Sequence, residues 1–250
     1  MTGDAIRLTG VGVRYRERLA LDGVDLAIDA GARVALIGSN GAGKSTLLRV
    51  VAGTLEPSLG RVDLLDQPLA GLSRMAVARR LGVVPQAAAL PFAARVEEVV
   101  GLGRIPHEDP FRGARPGDHA AIARAIDRVG IRHLVGRDAR ELSLGERQLV
   151  LIAMAVAQDT PILLLDEPTV HLDLRHQVAA MELLVSLNEE DGMTVVAVLH
   201  DLTMAAHFFP RLVLMDHGRV VVDGPPDVVL APERIREAFG VDPALVRLRS

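Results

Sequence analysis

Hydrophobic and polar positions follow two rhythms along this chain. Short unbroken apolar runs read as buried strands, and apolar residues at a 3.6-residue spacing read as helices. Ile6–Val13 and Asp25–Ile28 are the first strands, set apart by turn residues. Arg33–Gly38 is a short buried strand, and a glycine-rich turn leads from it into a helix over Lys44–Ala52. Gly60–Leu65 and Leu81–Val84 are further strands, the second ending at Pro85-Gln86. From Ala87 to Gln158 helices take over, at Arg95–Leu102, Asp118–Val129 and Gly145–Ala157, with a polar connection rich in glycine and proline over 103–117. The alternation then resumes with strand Pro161–Asp166, helix Leu174–Leu187, strand Thr194–Leu199 and helix Asp201–Phe209. Arg211–Met215 and Arg219–Val222 flank Asp216-His217-Gly218 as a hairpin, and short helices close the chain.

This order predicts an α/β fold whose largely parallel sheet is covered on both faces. The helical block interrupts the alternation. Residues 87–158 therefore read as a helical subdomain inserted into a core of 1–86 and 159–250, all within one domain of 250 residues. The sheet does not need this block, so its expected role is contact or movement.

Composition narrows the function. Apolar residues make up 49% and charged residues 24% of the chain, which excludes disorder over most of its length. The net charge of −4 leaves no basic excess for binding nucleic acid, and one tyrosine with five phenylalanines is poor material for stacking bases. With no cysteine there is no disulfide, thiolate metal site or thiol nucleophile. No apolar run approaches the ~18 residues of a membrane span, and Met1–Gly10 lacks the apolar core of a signal peptide. The expectation is a soluble protein that reaches a membrane only through a partner. One count stands out: 27 of the 28 basic residues are arginine, and the single lysine is Lys44. That position calls for a compact ammonium rather than a planar fork.

Lys44 lies in Gly38-Ser39-Asn40-Gly41-Ala42-Gly43-Lys44-Ser45-Thr46, which fits G-x-x-x-x-G-K-[ST] between a buried strand and a helix. The glycines let backbone N–H groups curl around a polyphosphate, and the helix N-terminus adds its positive end. Lys44 is expected to reach the β- and γ-phosphates, and Ser45 to ligate Mg²⁺. Asp166 ends a buried strand, where the crevice of such sheets lies, and suits the acid that holds Mg²⁺. Glu167 follows as the candidate general base for an attacking water. His200 ends the next strand and could orient that water. Gln86 could contact Mg²⁺ and water while reporting on the γ-phosphate.

Leu142-Ser-Leu-Gly-Glu146 stands twenty residues before Asp166 and resembles the LSGGQ signature of the ABC transporter ATPases. The chain is similar to that family along essentially its whole length. The resemblance implies a phosphate-loop NTPase core with an antiparallel β subdomain and the inserted helical subdomain. It makes Tyr15 the aromatic that stacks on adenine, Gly38–Thr46 the Walker A loop and Gln86 the Q-loop. Ile162–Glu167 becomes Walker B with Glu167 as catalytic base, Thr169–Asp173 the D-loop ending at Asp173, and His200 the switch histidine. Ser143, Gly145 and Glu146 would contact the ATP of a second subunit. Read from the residues alone, Ser143-x-x-Glu146 is a capping box opening a helix. The family implies a head-to-tail homodimer that ATP closes and hydrolysis reopens. Leu144 replaces the first signature glycine, Val170 and His171 replace the common Ser-Ala, and Leu149 and Met154 stand where many relatives carry arginine. Weaker or altered ATP sandwiching is the expected consequence of Leu144.

No span is fused to the chain, which implies separate integral-membrane permease subunits and a bacterial importer, peripheral on the cytoplasmic face of the membrane. Gly103-Arg-Ile-Pro-His107, Pro110-Phe-Arg112 and Gly224–Leu230 resemble ATPases of iron-siderophore, haem and cobalamin importers. A periplasmic or lipid-anchored binding protein would then act indirectly. Residues 87–118 would receive the permease, with Phe92 and Phe111 either on that face or in satellite packing. The competing reading is a non-transport ABC ATPase acting on DNA or the ribosome. A histidine metal site finds no H-E-x-x-H or equivalent pairing, and His171 and His176 do not share a helix face well.

Overall fold

The structure, a computed structural model, describes residues 3–16, 18–86, 93–108, 116–170 and 172–240. Phe92, Pro110, Phe111, Arg112 and His171, and much of the expected 87–118 face, lie outside the described residues. In chain order the elements are β1 (Asp4–Tyr15), β2 (Arg18–Asp29), β3 (Arg33–Ile37), α1 (Lys44–Val51), β4 (Leu59–Leu64), β5 (Gln67–Pro68), α2 (Arg74–Ala78) and β6 (Leu81–Val84). Then come α3 (Val96–Gly101), α4 (Pro116–Val129), α5 (Leu144–Ala157), β7 (Ile162–Asp166), α6 (Leu174–Glu189), β8 (Thr194–Val198) and α7 (Leu202–Phe208). The hairpin β9 (Arg211–Asp216) and β10 (Arg219–Gly224) and the short helices α8 (Pro226–Val229) and α9 (Pro232–Phe239) follow.

Two sheets form. One is antiparallel with order β2-β1-β4-β5, and the other has order β10-β9-β3-β8-β7-β6. In the larger sheet β6, β7, β8, β3 and β9 pair in parallel and only β10 is antiparallel. Continuous apolar runs are what strands buried on both faces require, because successive side chains point opposite ways. Val34, Leu36, Ile162, Leu164, Val196 and Val198 join the smaller sheet and α1 in one core. Ala35, Ile37, Leu163, Leu165, Val195 and Ala197 join the later helices in another.

The sequence reading of Asp25–Ile28 as a separate strand is corrected: β2 runs from Arg18 to Asp29. Asp22-Gly23 marks a register shift inside the strand rather than its start, with Gly23 at φ +61°. Asp25 is paired, its Oδ1 accepting the Gly10 N–H at 2.8 Å. The connection after α3 is likewise not irregular throughout, because Leu102–His107 forms a 3₁₀ helix. Helix α5 begins at Leu144, one residue before the predicted start, because Ser143 is its N-cap.

Candidate active site

The phosphate loop leaves β3 and enters α1 through three glycines with positive φ: Gly38 at +144°, Gly41 at +81° and Gly43 at +104°. Two of them are also forced by close approach. A Cβ on Gly38 would sit 2.1 Å from the Met215 carbonyl oxygen, and one on Gly43 would sit 2.7 Å from that of Ala20. The loop is thus wedged between the β2 strand and the tip of the β9–β10 hairpin. Gly218 N–H donates to the Ala42 carbonyl at 3.0 Å, and the Ser39 hydroxyl reaches Asp216 Oδ1 at 3.4 Å. Ala42 is buried beneath the loop.

Lys44 is buried, 5% exposed, and its ammonium donates to the carbonyls of Gly38 at 2.7 Å and Ser39 at 2.9 Å. Burial holds its amine below the ordinary lysine value, opposed by the nearby carboxylates of Glu167 and Asp166. The Ser45 hydroxyl donates to Asp166 Oδ1 at 3.0 Å. Burial pushes the Asp166 carboxyl above the usual range, and Glu167 adds to the shift; the Ser45 bond, Lys44 and His200 oppose it. Glu167 takes φ +52°, a left-handed conformation strained for a residue with a Cβ, and its N–H donates to the Val198 carbonyl at 3.2 Å. Its carboxylate is gripped from two sides. Gln86 Nε2 donates to Oε2 at 2.5 Å, and the His200 ring Nε2 is hydrogen-bonded to Oε1. Residues from β6, β7 and β8 therefore meet at one carboxylate beside the loop.

A cleft of about 260 Å³ opens over these groups, lined by Tyr15, Asn40, Gly41, Gly43, Lys44, Ser45, Thr46, Glu167 and His200. Arg18 and Ala20 line it as well, and neither stood out in the sequence. Tyr15 is 41% exposed, leaving its ring available at the cleft edge, with its hydroxyl 3.4 Å from Arg49 Nη1. Ser45 and Asp166 are hard oxygen donors set side by side, which fits Mg²⁺, a cation bound through one or two protein ligands plus phosphates and water. Among the described residues no group of three or more acidic or histidine side chains could hold a metal by itself.

The signature residues are not brought to this cleft. Ser143 and Glu146 form the expected capping box: Ser143 Oγ accepts the Glu146 N–H at 3.2 Å, and Glu146 Oε2 accepts the Ser143 N–H at 2.8 Å. That bond, with Arg137 2.8 Å from Oε1, holds the Glu146 carboxyl below its ordinary value. Asp173 caps α6, accepting the His176 N–H at 2.9 Å, and this bond lowers its carboxyl likewise. None of Ser143, Gly145, Glu146 and Asp173 lines the cleft.

A parallel sheet that delivers a glycine loop from β3 and paired carboxylates from β7, with β8 between them, defines a phosphate-loop nucleotide-binding protein. Within that class the chain belongs to the ABC transporter family, whose model matches residues 21–170. It is 42% identical over 243 residues to the cobalamin import ATP-binding protein BtuD of Halobacterium salinarum, covering 95% of this chain and 61% of that protein. The chain thus spans less than two thirds of that relative's length. It is 38% identical to the ferric enterobactin transport ATP-binding protein FepC of Escherichia coli, covering 96% of this chain and 90% of that protein. A dimeric post-hydrolysis state of an ATP-binding cassette bound to ADP and Pi superposes with a TM-score of 0.79 at 30% identity, covering 88% of this chain and 98% of that one.

Proposed function

We propose that this chain is the ATP-hydrolysing subunit of a bacterial ABC importer for a metal chelate, an iron-siderophore or haem, with cobalamin also within range. The observation that carries the reading is the meeting of Gln86, Glu167 and His200 beside Lys44 and Ser45. In this reading the loop and Lys44 hold the β- and γ-phosphates of ATP, and the Tyr15 ring stacks on adenine. Ser45 and Asp166, with Gln86 nearby, would hold Mg²⁺, which neutralises phosphate charge when bound. Glu167 accepts a proton from water as its oxygen attacks the γ-phosphorus, and the bond to ADP breaks. His200 and Gln86 fix the Glu167 carboxylate and the water. The strained backbone of Glu167 supports this role, since strain of this kind persists where the surroundings over-determine it.

The position of Ser143, Gly145 and Glu146 away from the cleft supports their acting on the ATP of a second copy. The positive end of α5 would then face that phosphate. ATP bound between two copies would favour the closed pair, and hydrolysis would release it. Residues 87–118, within the helical subdomain, would carry the contact with the permease. The family's relatives carry different cargo names, cobalamin and ferric enterobactin. That supports cargo being selected by the permease and binding protein rather than by the ATPase. No helix of the described residues is long and apolar enough to cross a membrane, consistent with a separate permease chain and a peripheral place on the cytoplasmic face.

The test is Glu167→Gln protein, tagged and incubated with ATP and native membranes. It should accumulate as an ATP-bound dimer by sedimentation and co-purify with a polytopic permease. Unchanged phosphate release would remove Glu167 as the base. Ribosomal or DNA-processing partners with no membrane protein would favour the non-transport alternative.

A further inference from the structure

We infer that Arg18 is a nucleotide-binding residue that grips the phosphate chain on the base side of the loop, at the α-phosphate. The inference rests on the nucleotide reading above and adds a residue to it.

Tyr15 and Arg18 are cross-strand partners, the last pair before the β1–β2 turn. Paired residues project to the same face of a hairpin, and both line the cleft. Arginine recurs at this tip, at positions 14, 16 and 18, yet of the three only Arg18 reaches the cleft. Its Nη2 lies 3.4 Å from the Gly41 carbonyl oxygen, and a Cβ on Gly41 would sit 2.8 Å from the same nitrogen. The guanidinium therefore hangs over the middle of the phosphate loop. That long contact is its only hydrogen bond to a described residue. A guanidinium carries five N–H donors and stays charged throughout the accessible pH range. Most of these donors are thus unspent at the edge of an anion site.

A nucleotide spanning the cleft has fixed ends. Its terminal phosphates belong with Lys44 and Ser45, and its base with Tyr15. The ribose and α-phosphate must bridge the gap, and Arg18, the cross-strand partner of Tyr15, brings a guanidinium into the cleft beside the base position. A planar fork matches two oxygens of one phosphate, which explains arginine here and lysine at the crowded, buried position 44. Because Arg18 is exposed, its removal leaves no buried group unpaired.

The experiment is calorimetric titration of Arg18→Ala and Arg18→Lys with ATP and with ADP, alongside steady-state hydrolysis and the melting temperature of the nucleotide-free protein. Both nucleotides carry the α-phosphate, so both should bind Arg18→Ala about tenfold more weakly, the size of one exposed charge-assisted bond. The loss should fall on KM rather than kcat, as for a contact made equally in ground and transition states. Arg18→Lys should recover part of it, more at low salt. The melting temperature should stay at the wild-type value. Unchanged affinity for both nucleotides would overturn the assignment. So would a loss confined to ATP, which belongs to the γ-phosphate, or a matching fall in melting temperature, which belongs to a disturbed hairpin. Lys44→Ala keeps the two levels apart: if the wild type binds no ATP, or Lys44→Ala binds as the wild type does, the nucleotide reading itself fails.

Discussion

Asp166 is the residue where folding and proposed chemistry pull in opposite directions. Its carboxyl is raised above the ordinary value chiefly by burial, with Glu167 beside it. A raised acid binds more protons folded than unfolded, so stability falls as pH rises from the unfolded pKa through the folded one. At neutral pH the nucleotide-free fold therefore carries an unfavourable charge. Asp166→Asn should melt at a higher temperature than the wild type near neutral pH. The gap should close as pH drops below the usual carboxylate range, and hydrolysis should be lost throughout. Thermal melts across pH, paired with phosphate-release assays, check this; a lower melting temperature at neutral pH would show that the Ser45 bond and Lys44 outweigh burial. The sequence marked Asp166 because it ends an apolar run. Its shifted acidity depends on groups from α1, β7 and β8 that no local pattern brings together.

At the scale of elements, the segment Gly103–His107 acquires a physical account. Its resemblance to importer ATPases suggested a partner-facing surface, but three of its residues turn inward to hold the C-terminal end of α5, and Pro106 ties it to the end of α2. A Cβ on Gly103 would sit 2.1 Å from the Met154 carbonyl oxygen, so only glycine permits this approach. Arg104 pairs with buried Asp118 at 2.9 Å and donates to the Ala157 carbonyl at 2.8 Å. His107 Nε2 lies 2.8 Å from the Gln158 carbonyl, and the Pro106 carbonyl accepts from Arg79 at 2.6 Å. The last carbonyls of a helix need such partners. In the 3₁₀ helix over 102–107 only Leu102 and Ile105 are exposed apolar residues, and they are what it would offer the proposed permease. Gly103→Ala should cost about 2 kcal/mol of stability through overpacking against backbone. Urea unfolding measures it, and an unchanged midpoint would mean that the 3₁₀ segment yields freely.

For the whole molecule, the apolar side chains left outside matter most. Leu144 is 59% exposed at the start of α5, and Val170 and Leu174 are exposed around the Asp173 cap. The Leu144 departure from the family signature thus places a bare leucine at the surface proposed to meet the second copy. Leu144→Asp should weaken ATP-dependent dimerisation of the Glu167→Gln protein by at least about tenfold. Affinity of the monomer for ATP should be unchanged, because Leu144 does not line its own chain's cleft. Sedimentation at graded concentrations tests the first expectation and titration the second; dimerisation as strong as that of the parent would place Leu144 outside the interface.

The features decided by neighbouring residues were determined by the sequence itself. Buried strands show as apolar runs, the phosphate loop as glycines before Lys44, and the α5 cap as Ser143 followed by Glu146, because each depends on a few adjacent residues. Tertiary structure decided what depends on distant strands. The long hairpin places Arg18 beside Tyr15 through a register that glycine and a strand shift set, and local alternation misreads it. Asp216 lies under Ser39 from 177 residues away. Gln86 reaches Glu167 across 81 residues and His200 across 33, because β6, β7 and β8 are neighbours in the sheet. Periodicity records which face of an element is buried, but only packing determines which strand ends meet, and the candidate site is built from such ends.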